Sequence, residues 1–74
     1  MRLIEARIGE TVRVIGSKGG KLLAARLLQA GVYPDDRIRV LRAAPLGGPL
    51  LVEVGGREIA LGRAVARRIL VELE

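Results

Sequence analysis

The sequence predicts an all-β fold: a small barrel of about five short strands, with one short helix inserted after the first strand. Several short segments alternate apolar and polar residues with the period of a strand, and one segment has the period of a helix. A Gly-Gly pair between two strand-like segments predicts a tight hairpin. With 74 residues and no linker or repeat, the chain should form a single domain over residues 1–74.

The composition restricts what can fill the core of this domain. Half of the residues are hydrophobic, but Phe, Trp and Cys are absent and Tyr33 is the only aromatic residue. Neither a disulfide nor a thiolate zinc site can therefore stabilise the fold. We expect an interior of Leu, Val, Ile and Ala, which suits a thin barrel.

The first strand and the helix adjoin in the sequence. Thr11–Ile15 alternates β-branched residues with Arg13 and stops at the glycine-rich residues 16–20. A helix is predicted over Lys21–Ala30, with Gly31 as its C-terminal cap. Its apolar stripe should comprise Leu23, Leu27 and Ala30, widened by Ala24 and Leu28.

Three further strands follow the helix. Arg37–Arg42 alternates again, and Leu50–Val54 and Arg57–Leu61 flank Gly55-Gly56, where both central residues should have positive φ. Residues 62–66 should form a helical turn, and the alternation of residues 69–74 predicts the last strand. The hairpin fixes the expected pairs: Val54 with Arg57, Val52 with Ile59, Leu50 with Leu61, Leu51 with Ala60, and Glu53 with Glu58.

The residue types present argue against catalysis. There is no His and no Cys, and Thr11 and Ser17 are the only hydroxyl residues besides Tyr33, so no nucleophile can pair with a histidine base. The glycine-rich segment 16–21 is one residue too short for a phosphate-binding loop, and Leu22 stands where Ser or Thr would reach magnesium. We therefore predict no enzyme, no catalytic residue and no cofactor.

The opposed carboxylates of Glu53 and Glu58 are the candidate metal site of the sequence. If Val40 pairs with Val52, Arg39 lies opposite Glu53, and a surface ion-pair cluster then explains the two carboxylates without a metal. No metal ligand is predicted, and we expect that the chain does not hold ferrous iron itself.

Two classes of binding partner remain open. The net charge of +5 and the arginines beside the strands favour nucleic acid, but a single-strand binder usually interleaves aromatic residues with its cations, so nucleic acid is the less favoured alternative. Protein binding has more specific support, because apolar residues occupy the outer face of the strands: Ile15, Leu41, Leu51, Ala60 and Leu70. These residues are either covered by the helix or exposed to a partner.

The location of the protein is expected to be cytoplasmic. The first residues alternate charged and apolar side chains, unlike a signal peptide, and no segment approaches the roughly 20 apolar residues that span a bilayer. We expect no membrane insertion.

Several segments, spread over nearly the whole chain, match one known pattern. They are Gly9-Glu10, Arg26-Leu27-Leu28, Gly31-Val32, Pro34, Ile38-x-Val40, Ala44-Pro45-Leu46-Gly47-Gly48-Pro49-Leu50, Ile59-Ala60-Leu61 and Ala66-x-x-Ile69-x-Val71. Taken together, these segments resemble the FeoA family, whose fold is an SH3-like barrel with a helix near the start. The stretch from residue 44 to residue 50 is the most specific match, and Asp35 stands where the family commonly has glycine after the proline.

This resemblance implies an accessory protein of ferrous iron transport, which adapts or regulates the membrane transporter FeoB through its cytosolic part. A homo-oligomeric regulatory domain, similar to the C-terminal barrel of diphtheria-toxin-repressor-like metalloregulators, is a further alternative. Two prolines and a glycine pair predict a shaped loop over residues 43–49, between the second and third strands. The expected partner-binding residues are Leu27 and Leu28 of the helix together with Ala44, Pro45, Leu46, Gly47, Gly48, Pro49 and Leu50 in and beside this loop.

Overall fold

A computed structural model describes all residues from 1 to 74 and confirms a mostly β fold with one helix after the first strand. A short 3-10 helix, Leu3–Glu5, precedes the first strand. The remaining elements are β1 (Thr11–Ser17), α1 (Gly20–Ala30), β2 (Arg37–Ala43), β3 (Leu50–Val54), β4 (Arg57–Leu61), α2 (Arg63–Ala66) and β5 (Ile69–Leu73).

The five strands form one antiparallel sheet in the order β4-β3-β2-β1-β5. The β3–β4 hairpin turns at Gly55 and Gly56, whose φ angles are 57° and 78°, and every predicted pair across it is present. The predicted pairing of Val40 with Val52 is also confirmed.

Two irregularities bend the sheet around its core. The pairing of β1 with β5 shifts between Val14 and Gly16, and the pairing of β2 with β3 shifts between Val40 and Arg42. Such shifts increase local twist and let a strand curve. The shift between β1 and β5 is a bulge. After it, β1 pairs with β5 again and continues to Ser17, two residues beyond the predicted end.

The core is wholly aliphatic, as the composition predicts. Its 15 buried residues form one cluster, and no polar or charged side chain is buried. The largest of the fully buried side chains come from the 3-10 helix and four of the strands: Leu3, Val12, Ile38, Val40, Val52, Ile69 and Val71.

Helix α1 packs against β1 through a narrower stripe than the sequence predicts. Leu23 and Leu27 are buried, but Ala24, Leu28 and Ala30 are exposed. The wider predicted stripe is wrong because a single short helix at the margin of a small barrel meets the core along one line of side chains. The predicted cap is confirmed: Gly31 has a φ of 90°, and its N–H contacts the carbonyl oxygens of Leu27 and Leu28.

The 3-10 helix has its own hydrogen-bonded cap, which the sequence pattern did not reveal. The Glu5 carboxylate accepts a hydrogen bond from the Arg2 backbone N–H at 2.7 Å and one from the Arg2 guanidinium at 3.3 Å. These bonds, the backbone bond first, hold the pKa of Glu5 below its ordinary value of 4.5. The cap therefore stabilises the short segment from which Leu3 packs into the core.

Candidate functional site: a preshaped loop between two strands

The loop between β2 and β3 is built on a tight turn. The Gly48 N–H donates to the Pro45 carbonyl oxygen at 3.1 Å, and the two central residues, Leu46 and Gly47, have φ angles of 60° and 75°. Positive φ at both positions is the geometry of a type I′ turn. At the base, the Ala44 N–H donates to the Pro49 carbonyl oxygen at 2.9 Å, so the loop has a single defined shape.

Leu46 stands at the tip of this turn in an unusual state. Its side chain is fully exposed, at 103% of the reference area, and its backbone lies in the left-handed region that leucine rarely adopts. Left-handed backbone costs an L-residue about 1–2 kcal/mol relative to glycine. No intramolecular contact of the side chain offsets that cost, so this leucine does not serve the stability of the fold.

Arg63, the first residue of α2, holds the loop from outside. Its Nε donates to the Gly48 carbonyl oxygen at 2.9 Å, and one terminal nitrogen donates to the Ala44 carbonyl oxygen at 3.4 Å. Nothing in the spacing of Arg63 predicts it as a partner of a loop about 15 residues away. The available signal is an arginine two residues after β4, together with a loop whose prolines lack N–H donors and so leave carbonyl acceptors without a local partner.

Gly48 permits the tight path of the chain. A Cβ atom at this position would lie 2.8 Å from the Ala44 Cβ and 3.1 Å from the Pro45 carbonyl oxygen. Real Cβ atoms do not approach other carbons so closely, so the glycine is required by space and not by its φ angle. Any larger residue must move the loop.

The predicted partner-binding residues do not form one continuous surface in the structure. Leu27 and Leu50 are buried in the core, at 7% and 5% exposure, and are unavailable to a partner because they fill the barrel. Leu28 is half exposed, but it lies in a separate groove beside β1 that no residue of the loop lines. The exposed part of the predicted surface is Pro45, Leu46, Gly47 and Pro49, with Ala44 and Gly48 half-buried beneath it.

The outer face of the sheet carries paired charges. Arg39 lies opposite Glu53, as predicted, but the ion pair observed on this side joins Arg42 to Glu58 at 3.2 Å. The register shift at Leu41 places Arg42 opposite Leu51. Nearby, Arg13 binds both Asp35 and Glu72, with Asp35 at 2.6 Å. No group of three or more His, Cys, Asp or Glu side chains is arranged to hold a metal ion.

The apolar residues of the outer face are only partly covered. Ile15 remains 49% exposed, and Leu41, Leu51 and Leu70 are half-buried. Helix α1 directs its buried leucines to the core and leaves Ile15 open.

The helices of the chain were also compared with the length and hydropathy of a membrane span, and none of them meets both requirements.

A five-stranded antiparallel barrel with an inserted helix and an exposed, hydrogen-bonded β2–β3 loop belongs to the class of small SH3-like domains. The FeoA domain model matches residues 1–73, and the chain therefore belongs to the FeoA family, a family of accessory domains in ferrous iron transport. Asp35, where the resemblance led us to expect glycine, adopts a φ of 71°, which Asp tolerates better than most residues.

Similar proteins agree with this assignment. The chain is 33% identical over 67 residues to a candidate Fe(2+) transport protein A of Methanocaldococcus jannaschii, covering 90% of this chain and 79% of the relative. It superposes on the crystal structure of an iron uptake regulatory protein, FeoA, with a TM-score of 0.87, 30% identity, and coverage of 97% and 93% of the two chains. For the zinc-complexed FeoA of Stenotrophomonas maltophilia, called a prokaryotic SH3 domain protein, the TM-score is 0.79, the identity 29%, and the coverage 97% and 89%.

Proposed function

We propose that the chain is a cytosolic adaptor of ferrous iron transport and that its β2–β3 loop docks on the cytosolic part of a FeoB-type membrane transporter. The observation that carries the proposal is Leu46, an apolar side chain held fully exposed on strained backbone. Exposed strain of this kind is retained where it serves binding. The Stenotrophomonas maltophilia protein has been suggested as an activating factor of ferrous iron transport, which agrees with an accessory role.

The rigidity of the loop supports the same conclusion. Two prolines, the type I′ turn and the Arg63 hydrogen bonds fix the conformation before a partner arrives. A surface that is already ordered loses little conformational entropy on binding. One fully desolvated leucine at the tip can then supply a central contact, with Pro45 and Pro49 around it.

The test is a binding titration between the purified protein and the cytosolic part of the transporter encoded near it. Leu46→Asp should abolish binding, because it places a charge where the partner offers an apolar pocket. Ile8→Asp is the matched control, since Ile8 is also exposed, at 66%, but lies in the turn before β1; this variant should bind like the parent. Absence of binding by the parent, or equal binding by Leu46→Asp, would overturn the proposal.

A further inference from the structure

The carboxylates of the chain are distributed unevenly. None of the eight Asp and Glu residues falls in residues 11–34 or in residues 59–71, although these two segments contain seven Lys and Arg residues. Arg13 is neutralised by Asp35 and Glu72, and Arg63 binds the loop carbonyls. The other five cations have no carboxylate partner: Lys18, Lys21, Arg26, Arg67 and Arg68.

The fold brings the two acid-free segments together. The backbone N–H of Lys18 donates to the Arg68 carbonyl oxygen at 2.8 Å, which places the start of α1 beside the end of α2. Between the two helices lies a groove of about 280 Å³. Its floor and rim are formed by Leu22, Leu23, Arg26, Ala64, Val65 and Arg68.

The groove is lined by both apolar and cationic residues. Four of its lining residues are apolar, including Leu22, whose side chain is 71% exposed, and Arg26 and Arg68 stand at the edge with unpaired charges. The volume lies just below the range of about 300–1,000 Å³ that is usual for small-molecule pockets, so there is room for one or two aliphatic side chains. A ligand that fits must therefore be apolar at its centre and anionic around it.

The shape and composition of the groove favour a peptide over other anions. A bilayer surface meets convex apolar tips flanked by cations, whereas this apolar surface is concave. Single-stranded nucleic acid stacks its bases on aromatic side chains, and the only aromatic residue, Tyr33, lines a different cleft beside Arg37 and Arg57. An acidic peptide segment with a central leucine would place the leucine on the apolar floor and its carboxylates beside the arginines of the rim.

We propose that the α1–α2 groove binds an acidic peptide segment that carries a large aliphatic side chain. The aliphatic side chain enters between Leu22 and Val65, and flanking carboxylates pair with Arg26 and Arg68. This surface is separate from the β2–β3 loop: Arg63 contacts the loop, whereas Ala64, Val65 and Arg68 line the groove. The failure of loop docking would leave the groove proposal intact, and the reverse also holds.

The experiment measures fluorescence anisotropy of the labelled peptide EEDLLEDE on titration with the full chain. Two matched peptides separate the contributions: EEDSSEDE keeps the charge and loses the leucines, and QQNLLQNQ keeps the leucines and loses the charge. We expect saturable binding of EEDLLEDE and about tenfold weaker binding of each control peptide, since each lacks one of the two interactions.

The protein variants locate the binding. Arg26→Glu should weaken EEDLLEDE binding by about tenfold. Arg39→Glu makes the same charge change on the outer sheet face and should leave binding within about twofold. Salt screens the diffuse attraction between peptide and protein equally in both variants, so the difference between them reports the groove. Both arginines are exposed and lack carboxylate partners, and circular dichroism checks that each variant is folded. Equal binding of EEDSSEDE, or equal loss in both variants, would reduce the effect to diffuse charge and overturn the proposal. Stronger binding of oligouridine or of phosphatidylglycerol vesicles than of the peptide would overturn it as well.

Discussion

The Arg63 guanidinium donates to the Gly48 carbonyl oxygen at 2.9 Å and so joins α2 to the loop between β2 and β3. Arg63 has no carboxylate partner, and its position on the short α2 helix is fixed by Ala66, which is fully buried in the core. Arg63 therefore links the loop, which its own backbone hydrogen bonds also shape, to the barrel core through a single side chain.

Arg63→Ala should loosen the loop with only a modest loss of stability. A hydrogen bond from a charged donor contributes about 1.5–3 kcal/mol, and partial exposure of Arg63 places the expected loss near the lower end. Hydrogen exchange should show faster exchange at the Gly48 and Ala44 amides, and transporter binding should weaken. Arg67→Ala, one turn along the same segment, is the control and should leave these two amides unchanged; equal acceleration in both variants would contradict a specific role of Arg63.

Leu46→Gly should separate binding from folding. Glycine removes the cost of left-handed backbone, about 1–2 kcal/mol. It also increases the conformational entropy of the unfolded chain, which lowers the free energy of unfolding by about 0.4–1 kcal/mol. Urea denaturation should therefore give a free energy of unfolding that is unchanged or about 1 kcal/mol higher, while binding to the transporter is lost. A clear loss of stability would show that the exposed leucine serves the fold, contrary to its proposed role.

Gly48→Ala tests the space at the base of the loop. The added methyl group would meet the Ala44 Cβ at 2.8 Å, and overpacking of this kind typically costs about 1–3 kcal/mol. Gly16→Ala is the matched control, because no atom lies within 4 Å of its added Cβ and its φ is not left-handed. Thermal unfolding should show a lower Tm for Gly48→Ala only; equal shifts in the two variants would refute the steric explanation.

Glu5→Gln should lower stability in a pH-dependent manner. The pKa of Glu5 is depressed below 4.5 in the folded protein, mainly by the Arg2 backbone N–H, so its charged form favours the folded state. The resulting stability is present above the unfolded pKa and is lost as the pH falls through the folded pKa. Denaturation at several pH values should show that the deficit of Glu5→Gln at pH 7 shrinks below about pH 4.5.

The control for this pH dependence is Glu53→Gln, which removes a carboxylate that makes no hydrogen bond or ion pair. This variant should show no stability deficit at pH 7. A deficit in Glu5→Gln that persists unchanged at low pH would assign the effect to lost packing and not to the charge.

The strands were predictable because their signals are local. Gly55-Gly56 fixes a two-residue turn, and the turn then fixes every pair of the β3–β4 hairpin. The bulge that extends β1 was not predictable, because it depends on pairing with β5, more than 50 residues later in the chain. The breadth of the helix stripe likewise depends on how α1 meets the barrel, which periodicity does not specify.

The candidate site was predictable in position but not in conformation. Two prolines and a glycine pair mark residues 43–49 as a shaped loop. That Leu46 takes a positive φ while Gly48 does not depends on where the turn from Pro45 to Gly48 closes and on the tertiary contact with Arg63. Leu27 and Leu50 were expected to bind a partner as well as to lie on apolar faces of the helix and the hairpin, and the two expectations conflict, because a side chain that fills the core is not available to a partner.

The position of β1 between β2 and β5 has a consequence for the order of folding. On the β5 side, β1 finds its partner only in residues 69–73, and Ile69 and Val71 of that strand are fully buried. Pairings so distant in sequence slow folding, because a long loop must close before the contact is formed. During synthesis β1 therefore keeps one unpaired edge until residues 69–73 have left the ribosome, and an interaction that protects this edge would raise the yield of folded protein.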